Sequence, residues 1–127
     1  MPELKPEYAD INQRNRLKRH PEEDLRFKID FTDATNIDPS NLDFEIHYKQ
    51  KKHPATNPNL DEVSGGSWDD QSNSSYFTVS NQVLKIKIPK ADISSWTRRT
   101  MYLTLVADDG TDRWAVEDLT VESQVQP

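Results

Sequence analysis

Apolar and polar residues alternate over several short stretches of this chain. Leu25, Phe27, Ile29 and Phe31 alternate with Arg26, Lys28 and Asp30, and Leu42, Phe44, Ile46 and Tyr48 alternate with Asp43, Glu45 and His47. A third run starts at Tyr76, Phe77 and Val79. Two more follow in Val83-Leu84-Lys85-Ile86-Lys87-Ile88 and Met101-Tyr102-Leu103-Thr104-Leu105-Val106, and a last one covers Trp114–Val121. A period of two is the mark of a strand with one buried face. The breaks between the runs are turn chemistry. Residues 32–41 are dense in Asp, Thr, Asn and Pro, Asp109-Gly110 is a hairpin signal, and Lys90–Trp96 after Pro89 has room for one helical turn. In the last run Trp114 and Val116 share one face while Leu119 and Val121 share the other. A β-bulge near Glu117-Asp118 restores a single face; the alternative puts Trp114 outside. Short antiparallel strands with polar outer faces predict an all-β, immunoglobulin-like antiparallel β-sandwich over residues 25–121.

Three stretches lie outside that pattern. Residues 1–24 have no apolar period, and Arg14, Arg16, Lys18 and Arg19 are followed by the opposite sign in Glu22, Glu23 and Asp24. Such a block buries too little apolar surface to fold alone. It reads as an extended N-terminal arm, either a loose tail or a segment ordered on a neighbour, with Leu4, Tyr8, Ile11 and Leu17 as its anchors. Residues 49–74 open on the basic run Lys49-Gln50-Lys51-Lys52-His53 and continue through Pro54, Pro58, Gly65 and Gly66. They read as one long loop, and loops of that length inside a domain tend to be functional or disordered. Residues 122–127 read as a C-terminal tail.

The 127 residues are enough for one domain, and with 33% hydrophobic residues its core is lean, as in a two-layer fold. Net charge is −6, which disfavours nucleic acid and anionic membranes as partners. The basic groups Arg14–Arg19 and Lys49–His53 lack interleaved aromatics and are expected to meet acidic protein surfaces. The chain has no cysteine, so disulfides, thiol catalysis and cysteine metal sites are excluded. No run has the length of a membrane span and no apolar leader follows Met1, so neither membrane insertion nor export by a signal peptide is expected.

Candidate chemistry is thin. His20, His47 and His53 have no ligand spacing, and the acidic loop residues Asp61, Glu62, Asp69 and Asp70 lack the calcium-loop pattern. No nucleophile elbow surrounds any serine. The expectation is therefore no enzyme, no metal and no cofactor. Trp96 is expected to plug one end of the sandwich and Trp114 to fill its core. Trp68, in the polar loop, is expected to be exposed and to anchor a partner. A carbohydrate-binding module using an exposed Trp is the alternative reading from a different class.

The order of these features resembles a β-sandwich of tailed-bacteriophage particles. The nearest pattern is the N-terminal domain of phage upper baseplate proteins, with related modules in head and tail accessory proteins. The features that carry it are the strand Leu25–Phe31, an Asp/Thr/Asn loop and the strand Leu42–Tyr48. They continue with a strand ending at Pro89, the segment Ala91-Asp92-Ile93-Ser94-Ser95-Trp96, the strand Met101–Val106, the turn Asp108-Asp109-Gly110-Thr111 and the closing Leu119-Thr120-Val121. The chain departs from it at Thr97-Arg98-Arg99, where the family carries glycine. The resemblance implies a non-enzymatic virion protein, assembled in the host cytoplasm, whose partners are capsid, collar or tail subunits. The residues expected to contact those partners come from the arm and the loop themselves: Leu4, Tyr8, Ile11, Arg14, Arg16, Leu17, Lys18, Arg19 and Trp68.

Overall fold

The computed structural model describes residues 7–34, 37–50, 65–96 and 99–123. Among them nine strands form two sheets. In chain order the strands are β1 (Ala9–Asp10), β2 (Arg16–Arg19), β3 (Leu25–Asp30), β4 (Asp43–Gln50), β5 (Gly66–Asp69), β6 (Phe77–Ser80), β7 (Val83–Ile88), β8 (Thr100–Asp108) and β9 (Arg113–Ser123). Sheet A has the order β1-β3-β7-β6 and sheet B the order β2-β9-β8-β4-β5. The two pack on one shared core, so the expected all-β sandwich is the fold.

The alternation seen in the sequence is what buries the core. Leu25, Phe27 and Ile29 of β3 stand opposite Ile88, Ile86 and Leu84 of β7, and all six are buried. In sheet B, β8 turns Met101, Leu103, Leu105 and Ala107 inward, where they meet Phe44 and Ile46 of β4 and Leu119 and Val121 of β9. The β6–β7 connection is a two-residue hairpin at Asn81 (φ 50°) and Gln82 (φ 68°), both left-handed as a primed turn requires. Gly110 (φ 94°) takes the left-handed position in the β8–β9 turn. Lys90–Trp96 forms 3-10 turns kinked at Ile93, and it buries Ile93 and Trp96 against the core. Trp96 therefore seals the sandwich as expected.

The parity problem in β9 is solved by a bulge. Leu105 faces Glu117 while Val106 faces Ala115, so Val116 is the extra residue. It lies just before the expected Glu117-Asp118, and Trp114, half-buried and opposite Ala107, returns to the face of Leu119 and Val121.

Three boundaries are corrected. Residues 49–74 are not one loop, because β4 runs on to Gln50 and Gly66–Asp69 pairs with β4 as an edge strand. Residues 51–64 lie outside the described residues. The last strand reaches Ser123, which is buried, so the C-terminal tail does not start at 122. The N-terminal segment is extended, but from residue 7 to 24 it lies on its own domain, with β1 parallel to β3 and β2 parallel to β9. This third outcome, neither tail nor arm on a neighbour, arises because it needs only two apolar residues, Ile11 and Leu17, to complete a core that other strands supply.

Turn carboxylates give the fold a pH dependence. The hydroxyl and backbone N–H of Thr32 hold Asp30 below its ordinary pKa, and those of Ser40 do the same for Asp38. Backbone N–H donors from Ser72 and Gln71 lower Asp69, and those from Asp112 and Thr111 lower Asp109. A carboxylate depressed in the folded state stabilises it above the unfolded pKa, and that contribution is lost as pH falls through the folded value. Thermal unfolding followed by circular dichroism should therefore show a melting temperature that is level near neutrality and falls below about pH 4. A melting temperature that stayed level down to about pH 2 would contradict this linkage.

Candidate interaction surface

The N-terminal segment crosses from one sheet to the other at a single edge of the sandwich. It leaves β1 through a turn in which Gln13 N and Arg14 N both donate to Asp10 O at 3.2 Å, while Asp10 Oδ1 accepts from Asn12 N at 3.0 Å. The Asn12 side chain fixes this arch to β3. Its Nδ2 donates to Asp30 O (3.2 Å) and its Oδ1 accepts from Asp30 N (2.7 Å), so one amide reproduces the paired bonds of a strand. Ile11 beneath the arch is 2% exposed. The chain then joins sheet B, where Thr120 N donates to Asn15 O at 2.8 Å and Leu17 registers with Val121.

Arg19 closes the segment. It is inward-facing and 5% exposed, and its guanidinium donates to Ser123 Oγ (2.9 Å), Glu23 O (2.9 Å) and Pro21 O (3.0 Å). Burial pushes its pKa down, and the nearby charges of Glu23 and Asp24 push it back up. The following loop is tied to the end of β7. Asp24 pairs with Arg26 (3.3 Å) and Lys87 (3.8 Å) and accepts from Lys90 N (2.9 Å), and Glu22 pairs with Lys90 Nζ (3.3 Å).

Between β1, β2 and the start of β3 runs an open cleft of about 770 Å³. Leu17 and Leu25 lie at its base, with Arg14, Arg16, Lys18, Arg26 and Lys28 along its walls and Glu7, Asp10, Glu23 and Asp24 among them. Arg14, Arg16 and Lys18 are exposed. β2 is the outermost strand of its sheet among the described residues, so its far edge presents backbone donors and acceptors beside those cations.

The structure divides the residues expected to touch a partner. Tyr8, Arg14, Arg16 and Lys18 line the cleft and remain accessible, Tyr8 being half-buried with its ring centroid 5.4 Å from Lys85 Nζ. Ile11, Leu17 and Arg19 are committed to the chain's own core and hydrogen bonds, so their role as outward anchors is corrected. Leu4 lies outside the described residues. Trp68 is corrected too. It is 8% exposed, stacked on Tyr48 with ring centroids 4.3 Å apart, and close to Trp96 (6.0 Å) and Tyr76 (6.3 Å). A polar stretch of sequence hid it because β5 is a narrow edge strand whose one inward side chain is Trp68. Gly66 makes room for Tyr48 there, since a Cβ at that position would lie 2.8 Å from the Tyr48 ring carbon Cζ. The sugar-stacking reading rested on an exposed Trp. The three tryptophans are instead buried or, for Trp114, half-buried, and among the described residues the exposed large hydrophobic one is Tyr102.

Other candidates do not converge. His20 Nδ1 accepts from Glu22 N, His47 sits beside Glu45 and Arg113, and His53 lies outside the described residues. Asp69 and Asp70 serve as backbone acceptors, for Gln71 N and Ser72 N and for Phe44 N respectively. Among the described residues no three His, Asp or Glu side chains are placed to hold a metal ion.

One charged arrangement escaped the sequence reading. Arg26 registers with Lys87 and Lys28 with Lys85, so four cations share the outer face of sheet A in two directly opposed like-charge pairs. The signal was present as the polar half of each alternation, Arg-Lys in one strand and Lys-Lys in the other, but only the register sets them face to face. Opposed like charges cost a sheet about 0.2–1 kcal/mol per pair.

No family model and no curated protein matches the chain.

Proposed function

We propose that this chain is a non-enzymatic structural subunit of a tailed-phage particle, assembled in the host cytoplasm and held to neighbouring virion proteins through its N-terminal edge. The observation that carries this reading is the edge of β2, outermost in its sheet among the described residues, where Arg14, Arg16 and Lys18 stand exposed along a cleft of about 770 Å³. An unpaired strand edge takes an added strand from a partner, and flanking cations select an acidic one and set its register. The same cations guard the edge against indiscriminate pairing while no partner is present. In a symmetric particle the contact repeats, and repetition multiplies a weak contact by avidity.

The fold supports the reading in two ways. The features behind the phage resemblance fall on consecutive elements: β7 ending just before Pro89, the 3-10 segment Lys90–Trp96, β8, the Gly110 turn and β9. The strand orders also fit an immunoglobulin-like scheme, with β3, β7 and β6 as strands B, E and D and β9, β8 and β4 as G, F and C. The parallel β1 departs from that scheme.

The test is quantitative mass spectrometry of density-banded particles from a lysate of the source culture. A fixed ratio to the major shell protein is expected, high for a head-decoration role and low for a tail, collar or baseplate role. Absence from banded particles overturns the proposal.

A further inference from the structure

We infer that copies of this chain stack face to face, the outer face of sheet A of one docking on the outer face of sheet B of the next. The inference needs no other virion protein, so it stands or falls separately from placement in a particle.

The two outer faces carry mirror-image charge problems. On sheet A, Arg26 opposes Lys87 and Lys28 opposes Lys85. On sheet B, Asp43 opposes Asp108 and Glu45 opposes Asp69. Each face thus holds two directly opposed like-charge pairs, cationic on one sheet and anionic on the other. Like charges set opposite each other work against the sheet that carries them, and the fold relieves them only in part. Asp24 reaches Arg26 and Lys87, Asp10 stands in register with Lys28, Asp30 interacts with Lys28 electrostatically, and the Tyr8 ring lies near Lys85. Arg113 pairs with Glu45 and stands opposite Asp108, which also accepts from Gly110 N, whereas Asp43 and Asp69 are served by neutral amides. Backbone donors hold Asp69 below its ordinary pKa, so it carries its full charge at neutral pH.

Both patches are compact. Opposed side chains sit about 5 Å apart across a pair of strands, and successive outward residues on one strand about 7 Å apart. The four cations form one block across β3 and β7, while the four carboxylates are staggered over β8, β4 and β5, so the two meet as patches of opposite sign and not residue for residue. Lys85, Lys87 and Asp43 are exposed and the remaining members half-buried, so the charges lie close to the sheet surfaces and not at the ends of mobile loops. A chain of net charge −6 would otherwise repel its own copies, and a cation-rich patch on one face with a carboxylate-rich patch on the other lets an attractive contact form. Because the faces differ and lie on opposite sides of the sandwich, the contact is heterologous and propagates as a ring or a stack.

The purified chain is tested by sedimentation velocity at low and high salt. The expected result is a concentration-dependent species larger than the monomer at low ionic strength. It should disappear at about 0.5 M NaCl, where screening shortens the range of charge to a few ångströms. Two double variants follow, Lys85→Glu with Lys87→Glu and Asp43→Lys with Glu45→Lys, each checked for native circular dichroism. Each alone should be monomeric, since one of its two patches no longer has a net charge to attract the other, while an equimolar mixture, which holds one intact patch of each sign, should associate. A wild-type chain that stays monomeric at low salt overturns the inference, and so do double variants that associate alone. If a variant fails to fold, the salt dependence of the unmutated chain decides.

Discussion

Deleting residues 1–19 should cost the domain its cooperative unfolding transition. Without them the core loses Ile11 and Leu17, which are 2% and 5% exposed. Truncating such a buried aliphatic side chain to alanine costs about 2–5 kcal/mol. The deletion also removes Arg19 from Ser123, itself 3% exposed, and strips the outer partners from β3 and β9. Two such losses together approach the whole stability of a small domain, about 5–15 kcal/mol. Point variants separate burial from charge. Leu17→Ala should cost about 2–5 kcal/mol, whereas Lys18→Ala, its exposed neighbour, should stay within about 0.5 kcal/mol. Thermal melts and amide proton spectra of the truncated chain provide the check. A sharp transition retained within a few degrees of the full chain would show that the segment is an accessory and not part of the sandwich.

Trp96→Ala is the second large effect, at about 3–5 kcal/mol. Trp96 is 1% exposed and packs against Tyr48 (5.5 Å between centroids) and Trp68 (6.0 Å), where the 3-10 segment closes the sandwich. Trp68→Ala should follow closely, because it removes both a nearly buried indole and the stack on Tyr48, and aromatic pairs add about 0.5–1.5 kcal/mol beyond their buried area. Trp114→Ala should cost least, since Trp114 is only half-buried. Urea unfolding of the three variants gives the order directly, as midpoint shifts at a constant denaturant slope. A Trp68→Ala protein as stable as the parent would return Trp68 to the role of a surface anchor and revive the sugar-stacking reading.

The difference between Trp68 and Trp96 shows how far the sequence could be read. Trp96 closes the apolar pattern Ile93–Trp96 just after a strand that ends in proline, and its burial follows from that position. Trp68 has Gly65, Gly66, Ser67, Asp69 and Asp70 around it, and a single inward residue on an edge strand leaves no period to detect. The N-terminal segment hid its structure in the same way. β2 buries Leu17 and Arg19 and exposes Arg16 and Lys18, a true alternation, but one inward position is a cation satisfied by Ser123 and two backbone carbonyls. Composition registers that arginine as a surface charge, and only the fold supplies its partners. Of the candidate surface, Arg14, Arg16 and Lys18 were legible as a basic run, while the cations of β3 and β7 were not.

By itself the sequence determined the all-β class, the central strands, the hairpin at Gly110, the break of parity in β9 and the sealing role of Trp96, while the choice between a bulge and an outward Trp114 was left to the structure. These follow from local rules: side chains alternate across a strand, turns need particular residues, and apolar faces must be covered. The tertiary structure alone decided that residues 7–24 pair with both sheets, that Gly66–Asp69 is a strand, and that Lys28 faces Lys85 while Asp43 faces Asp108. Edge strands draw their burial from neighbours distant in the chain. Which charges oppose one another depends on register, and register is set by the whole packed core, not by any segment within it.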